Sequence, residues 1–95
     1  MGESTKAPAR ELLEAAHSFP GEYIIKAFGP AQAEFRTGVT EAAYAAVGAR
    51  VEVSERLSSK GNSICVTLTL AALNVDEVIF AYERLHAVPG LRMIL

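Results

Sequence analysis

The chain has 95 residues, of which 51% are hydrophobic, and a formal net charge of −2. This length predicts one domain that buries about two-thirds of its extended surface, enough for a core without metal or disulfide staples. The nine Lys and Arg residues are scattered, and nucleic-acid affinity depends on clustered cations, so we expect no nucleic-acid partner. No apolar run approaches the roughly twenty residues that span a bilayer, and a signal-peptide pattern is lacking. These features favour a cytoplasmic protein without membrane association.

Neither metal nor redox chemistry is indicated. The single cysteine, Cys65, has no internal disulfide partner and lies inside a strand pattern, which is typical of a reduced intracellular thiol used as a small apolar residue. His17 and His86 are far apart, and no Cys, His or carboxylate stands at ligand spacing from them. We therefore expect no metal and no cofactor.

The first predicted element is a short helix. Residues 1–7 are small, polar and without periodicity, and we expect a disordered lead-in. From Pro8 onward Leu12, Leu13 and Ala16 fall on one side of a helix that would dock through these leucines. Pro20 ends it.

The first strand is predicted at Glu22–Phe28, a segment of aromatic and β-branched residues bounded by Pro-Gly and Gly-Pro pairs. Both of its faces carry apolar groups, which are Tyr23, Ile25 and Ala27 on one side and Ile24 and Phe28, with Lys26 between them, on the other. This distribution favours an interior strand whose second face is also partly covered.

An amphipathic helix and an edge strand follow. Ala33–Val47 places its apolar residues at helical spacing, and Gly48 stands where a helix C-cap is expected. Arg50–Leu57 then alternates valine with charged or polar residues. This second pattern is typical of a charged edge strand.

The turn 58–62 leads into the most regular pattern of the chain. Ile64, Val66, Leu68 and Leu70 alternate with more polar residues, so we expect a central strand reaching Ala72 and paired with the edge strand as a hairpin. A second long helix begins at Val75 after a capping Asn74, with Glu77 in a near capping-box position. Leu91–Leu95 reads as a final strand.

The element order is therefore a leading helix followed by βαββαβ. It predicts one α+β domain over residues 8–95 with the ferredoxin-like arrangement, a four-stranded antiparallel sheet in the order 4-1-3-2 with two helices on one face. The alternative of a three-helix bundle with a hairpin would force the strictly alternating, β-branched segment after Ser63 into a helix, which its composition disfavours.

At this level the chain resembles the YbeD-like family of small bacterial proteins, which carry a domain of unknown function. The resemblance covers the chain from Leu12 onward and rests on Leu12-Leu13, Phe19-Pro20, Gly29 at the end of the first strand, 58–62 before the central strand, Val78, Tyr82-Glu83, Leu85 and 92–95. It implies an ACT-like ferredoxin fold in the bacterial cytosol, and a link to lipoate metabolism has been suggested for the family. At Ser63 the chain departs from the family, where an aromatic residue is usual.

Two short segments are candidate ligand-binding positions. Lys60, Gly61 and Asn62 combine a cation with a Gly-containing turn whose backbone N–H groups can hold an anion. Gly29 and Pro30 join the first strand to a helix N-terminus, where ACT-like domains tend to place small ligands. For both segments a plain tight turn is the competing interpretation.

A third candidate is the sheet face that points away from the helices. Lys26, Phe28, Arg92 and Ile94 are predicted to lie on it, together with Cys65 and Thr67. An uncovered face would expose an apolar patch, so we expect a homodimer that forms through this open face.

The function most consistent with these patterns is a non-enzymatic regulatory module that binds a small metabolite or a protein partner. An acylphosphatase-like enzyme is the first alternative, but it needs an Arg in the loop after the first strand, which reads Gly29-Pro30-Ala31-Gln32. An RNA-binding sheet module is the second, and it needs exposed aromatics on the central strands within a basic surround. No Ser-His-Asp, Cys-His or paired-carboxylate set nominates catalytic residues.

Overall fold

The computed structural model describes residues 7–95, which form three helices and four strands. In chain order these are α1 (Arg10–Ala16), β1 (Gly21–Pro30), α2 (Ala33–Val47), β2 (Val51–Leu57), β3 (Ser63–Ala72), α3 (Val75–His86) and β4 (Met93–Ile94). Residues 1–6 of the predicted lead-in lie outside the described residues. Its last residue, Ala7, is partly buried against the core, and so contributes to packing.

The four strands form one antiparallel sheet in the order β2-β3-β1-β4. This is the predicted order 4-1-3-2 viewed from the other edge. β1 and β3 pair along their whole length, from Gly21 opposite Ala72 to Pro30 opposite Ser63. β1 is longer than predicted, and β4 is shorter, since only Met93 and Ile94 are strand residues. The most apolar strands are central because both can then be covered by the helices.

One face of the sheet carries the core. The register sets Ile25 against Leu68 and Ala27 against Val66, so their side chains share a face. These side chains are fully buried beneath α2 and α3. α2 ends at Gly48, whose φ of 62° suits glycine and whose N–H donates to the Tyr44 carbonyl.

The start of α3 is tied to Arg50, the residue that precedes β2. Asn74 Oδ1 accepts the N–H of Glu77 at 3.1 Å, which confirms the predicted N-cap. The Glu77 carboxylate accepts the N–H of Leu73 at 2.8 Å and both guanidinium branches of Arg50, at 2.8 and 3.1 Å. Arg50 also donates to the Ala71 carbonyl. One bidentate ion pair therefore joins α3 to the β2 and β3 strands.

α1 docks through a single leucine. Leu13 is 2% exposed, whereas Leu12 is 67% exposed and Ala16 is exposed too, so the prediction that both leucines dock was wrong. Adjacent residues on a helix point about 100° apart, and this short helix touches the core along one line only. Arg10 of α1 forms an exposed ion pair with Asp76 of α3.

Candidate functional site

The helix-free side of the sheet, called here the open face, carries a mixed set of side chains. They are Glu22, Ile24, Lys26 and Phe28 from β1, Cys65, Thr67 and Thr69 from β3, Glu52, Ser54 and Arg56 from β2, and Met93 from β4. Phe28 lies between Cys65 and Met93 in the register. Ile24 and Met93 are exposed, and Phe28 is half-buried. The open face therefore has an apolar centre in contact with solvent.

Ile94 does not belong to the open face, and its predicted position was wrong. It pairs with Ala27, points towards the helices and is partly buried against the core. Met93 takes the predicted position beside Phe28. A shift of one residue sends every side chain of a strand to the other face, and a terminal segment with apolar residues at 91, 93, 94 and 95 offers no alternation from which to choose.

Charge is divided between the two ends of the open face. Lys26 lies opposite Thr67 and Arg56 opposite Cys65. Arg92 reaches the same end, where its guanidinium donates to Ser63 Oγ at 2.8 Å. We call Lys26, Arg56 and Arg92 the basic end. Glu22, opposite Ala71, and Glu52, opposite Thr69, form the acidic end.

Ser63, where the resemblance leads one to expect an aromatic residue, has a polar partner in this chain. Its Oγ accepts from Arg92 at 2.8 Å, and its backbone N–H donates to Ser58 Oγ at 3.2 Å. Ser63 thus connects the hairpin turn with the segment before β4. A hydrogen bond from a charged donor replaces the packing contact that an aromatic ring would supply.

The two predicted ligand segments meet at one end of the sheet. Pro30 pairs with Ser63, and the N–H of Ala31 donates to the Asn62 carbonyl at 3.4 Å. The loop after β1 and the turn before β3 are therefore neighbours, a proximity that the sequence alone did not predict.

Local geometry accounts for both glycines of these segments. A methyl group at Gly29 would lie 2.5 Å from the ring of Phe35, so glycine is required for the ring to pack over β1. Gly61 has φ 78°, and its N–H donates to the Ser58 carbonyl at 2.9 Å. This N–H closes the turn and does not point at an anion site.

Three clefts of the described residues lie elsewhere. One of about 340 Å³ runs between α2 and the β2 edge beside Arg36, Val53 and Glu55. Another, of about 210 Å³, lies at the acidic end beside Arg50 and Glu52. A third, of about 310 Å³, separates α2 from α3. None of these three is lined by residues 29–30 or 60–62.

A buried pair of phenols was missed by sequence reasoning. The hydroxyls of Tyr23 and Tyr82 lie 3.0 Å apart, and the rings meet edge to face. Burial, and then the hydrogen bond with Tyr23, raise the pKa of Tyr82 above its usual range. Both side chains are buried in the core, so they serve packing. Their sequence separation leaves no local signal by which the contact could be found.

The described part of the chain has neither a metal-binding cluster nor a membrane-spanning helix. Within residues 7–95, no three His, Cys, Asp or Glu side chains are grouped so that they could hold a metal ion. The helices of this same range include none that is long and apolar enough to cross a membrane.

Comparison with known proteins covers nearly the whole chain. The model of the family described as "Protein of unknown function (DUF493)" matches residues 14–95. The chain belongs to this family. A UPF0250 protein of Edwardsiella ictaluri is similar to it, 33% identical over 90 residues that span 95% of this chain and 99% of that protein. UPF0250 proteins of Serratia proteamaculans and of Klebsiella pneumoniae strain 342 are each 32% identical, with the same coverage.

Membership of the DUF493 family confirms the resemblance to YbeD-like proteins, and the relatives are bacterial. The family description names no reaction, ligand or partner. Function must therefore be argued from the surfaces of this chain.

Proposed function

We propose that this DUF493 protein is a non-enzymatic regulatory module of the bacterial cytosol, with an ACT-like ferredoxin fold, that binds a protein partner through its open face. The βαββαβ order after α1 and the sheet order β2-β3-β1-β4 support this fold. A fold of this kind hosts many functions and does not by itself indicate binding. The side chains of the open face support it.

The apolar centre of the open face carries the proposal. Ile24 and Phe28 of β1, with Lys26 between them, and Met93 of β4, opposite Phe28, form a row in contact with solvent. Exposed apolar patches bordered by polar groups mark interaction surfaces. Small-molecule sites are usually concave, whereas this row lies on the surface of a sheet. The shape favours a protein over a metabolite.

The charges beside this row specify the partner's chemistry. Lys26 lies between Ile24 and Phe28 on β1, and Arg56 lies opposite Cys65 on β2. A complementary segment presents apolar side chains to Phe28 and Met93 and carboxylates to these two cations. The favoured partner is therefore an acidic amphipathic peptide segment, because complementary charge speeds encounter and fixes orientation.

A peptide titration tests this proposal. Nitrogen-15-labelled protein is titrated with two synthetic peptides that alternate leucine with Glu in one and with Lys in the other. We expect the Glu peptide to shift the amide resonances of Ile24, Lys26, Phe28 and Met93, and the Lys peptide to bind more weakly. Equal binding of both peptides, or shifts confined to the helices, would contradict the proposal.

Matched variants locate the contact. Phe28→Ser removes the ring at the centre of the open face, while Phe80→Ser removes an exposed ring on α3. Lys26→Glu reverses a charge beside the patch, while Lys60→Glu reverses one in the hairpin turn. We expect roughly tenfold weaker Glu-peptide binding for the first member of each pair, and no change for the second.

The same experiments decide between the other occupants predicted from the sequence. Self-association that Phe28→Ser abolishes would assign the open face to a second copy of this chain. Arg92 donates to Ser63 Oγ, next to the turn that carries Lys60, and the presence of these two cations favours an anionic metabolite as a second candidate. A thermal-shift screen of lipoate, amino acids and nucleotides tests it, since ligand at about a hundred times its Kd adds roughly 2.7 kcal/mol of stability.

A further inference from the structure

β2 is an edge strand of the sheet, and its outer side is unpaired in the described chain. The Ala71 N–H donates to the Arg50 carbonyl and the Ser58 N–H to the Ser63 carbonyl, so even-numbered positions direct their backbone groups towards β3. Along an antiparallel strand the backbone N–H and C=O groups of successive residues point alternately to one side and the other. The outward N–H and C=O groups are therefore those of Val51, Val53, Glu55 and Leu57.

The sequence of β2, VEVSERL, is complementary to itself. When a second copy is laid antiparallel with the two Ser54 residues opposite each other, Glu52 of each copy faces Arg56 of the other. In the same register Val51 faces Leu57 and Val53 faces Glu55. All four outward-directed positions then face one another as hydrogen-bonding pairs. Two opposite-charge pairs form on the open face, where such cross-strand pairs are stabilising.

Other registers fit less well. The outward backbone groups belong to odd-numbered residues of β2, so the two β2 strands can bond only in registers that set odd-numbered residues opposite each other. Centring the pair on Glu52, Glu55 or Arg56 sets like charges directly opposite each other, which is destabilising. Centring it on Val53 pairs only residues 51–55. The Ser54 register uses the whole strand and sets no like charges opposite each other.

We propose that two copies of this chain pair through their β2 edges in the Ser54 register and form an isologous dimer with a continuous sheet, four strands coming from each copy. Val53 is 42% exposed and Leu57 57% exposed. In the dimer Leu57 faces Val51 of the second copy, and Val53 lies diagonal to Leu57 of the second copy, all on the helix side. This proposal concerns the strand edge, and it shares the side chains of Glu52 and Arg56 with the open face.

The ion pair on the helix side suits this arrangement. Glu55 faces Val53 of the second copy, a poor neighbour for an unpaired charge. Its carboxylate is already matched by Arg36 of α2, with Nε and Oε1 3.3 Å apart. The cleft of about 340 Å³ between α2 and β2 borders the same edge.

Charge-swap variants test the register. By sedimentation equilibrium we expect the wild type to approach twice its 10.2 kDa mass. Glu52→Arg and Arg56→Glu should each weaken dimerisation roughly tenfold or more, because two attractive pairs become repulsive. The double variant should restore it. Glu83→Arg, an exposed change on α3, is the matched control and should have no effect.

A backbone variant separates the edge from the open face, to which Glu52 and Arg56 also belong. The Val53 N–H points away from β3, so Val53→Pro removes no hydrogen bond within the sheet of one copy. Circular dichroism of this variant should therefore show a folded protein. We expect it to be monomeric. Hydrogen exchange adds a second readout, since the amides of Val53, Glu55 and Leu57 should become protected as concentration rises, while Ser54 and Arg56 are protected throughout.

Three results would overturn the edge dimer. They are a wild type that stays monomeric at high concentration, a dimer that Val53→Pro leaves intact, and charge reversals whose combination does not restore association. Failure of the peptide titration leaves this inference unchanged, and the reverse also holds.

Discussion

At the residue scale, the Tyr23–Tyr82 pair shows how buried polar groups contribute to stability. Each hydroxyl is the other's partner at 3.0 Å, and a buried hydroxyl without a partner is costly. We expect Tyr82→Phe or Tyr23→Phe alone to lower the free energy of unfolding by about 1–2 kcal/mol. The double variant should cost clearly less than the sum, because no orphaned hydroxyl remains. Urea denaturation of all four proteins gives this cycle, and strict additivity would show that the hydroxyls are not coupled.

Gly29 gives a second residue-level prediction, which separates packing from ligand binding. A methyl group there meets the Phe35 ring at 2.5 Å, so Gly29→Ala should destabilise the protein by about 1–3 kcal/mol. Gly38→Ala is the control. Its added methyl group meets only the end of the Val88 side chain, at 2.9 Å, and the substitution raises the helix propensity of α2. Thermal denaturation without any ligand measures both. Equal stability of the two variants would refute the packing role of Gly29.

At the element scale, the sequence predicted what periodicity determines. β3 and α3 were found because their alternation and apolar stripe extend over ten and twelve residues. The predictions for the docking of α1 and for the sheet face of Ile94 were wrong. Their elements have only seven and two residues, which is too short to show a period. The Arg50–Glu77 pair and the meeting of Asn62 with Ala31 depend on chain topology, which no local pattern encodes.

The Arg50–Glu77 pair joins β2 to α3 and makes stability depend on pH. The hydrogen bond from Arg50 lowers the pKa of the Glu77 carboxyl, with a smaller contribution from the Leu73 N–H, although burial opposes the shift. A carboxyl with a lowered folded-state pKa stabilises the fold above its unfolded pKa, about 4.3, and this contribution is lost as pH falls through the folded value.

We therefore expect Glu77→Gln to lose less stability than the wild type as the pH falls below about 5. The urea midpoint at each pH measures this loss. Glu83→Gln, on the exposed side of α3, should leave the acid profile of the wild type unchanged. An identical profile for both variants would mean that the ion pair contributes nothing to acid sensitivity.

At the scale of the whole molecule, the edge dimer and the open face combine into one surface. Pairing through β2 keeps both open faces on the same side of a continuous sheet. The two β1 strands are then five strand spacings apart, about 24 Å at roughly 4.8 Å each. A flexible Gly-Ser linker of about 20 residues reaches that distance, since its mean span is about 5–6 Å times the square root of its length.

Two acidic peptides joined by such a linker should therefore bind the wild type at least roughly tenfold more tightly than one peptide, because the second contact becomes intramolecular. The gain should vanish in the monomeric Val53→Pro variant, whose single open face still binds one peptide with unchanged affinity. Calorimetric titration of both proteins with both ligands measures it. If the linked peptides also bind Val53→Pro more tightly than one peptide, the two open faces are not brought together by β2. If the wild type binds one peptide but shows no gain in affinity for the linked pair, the dimer holds the two faces farther apart than a shared sheet allows.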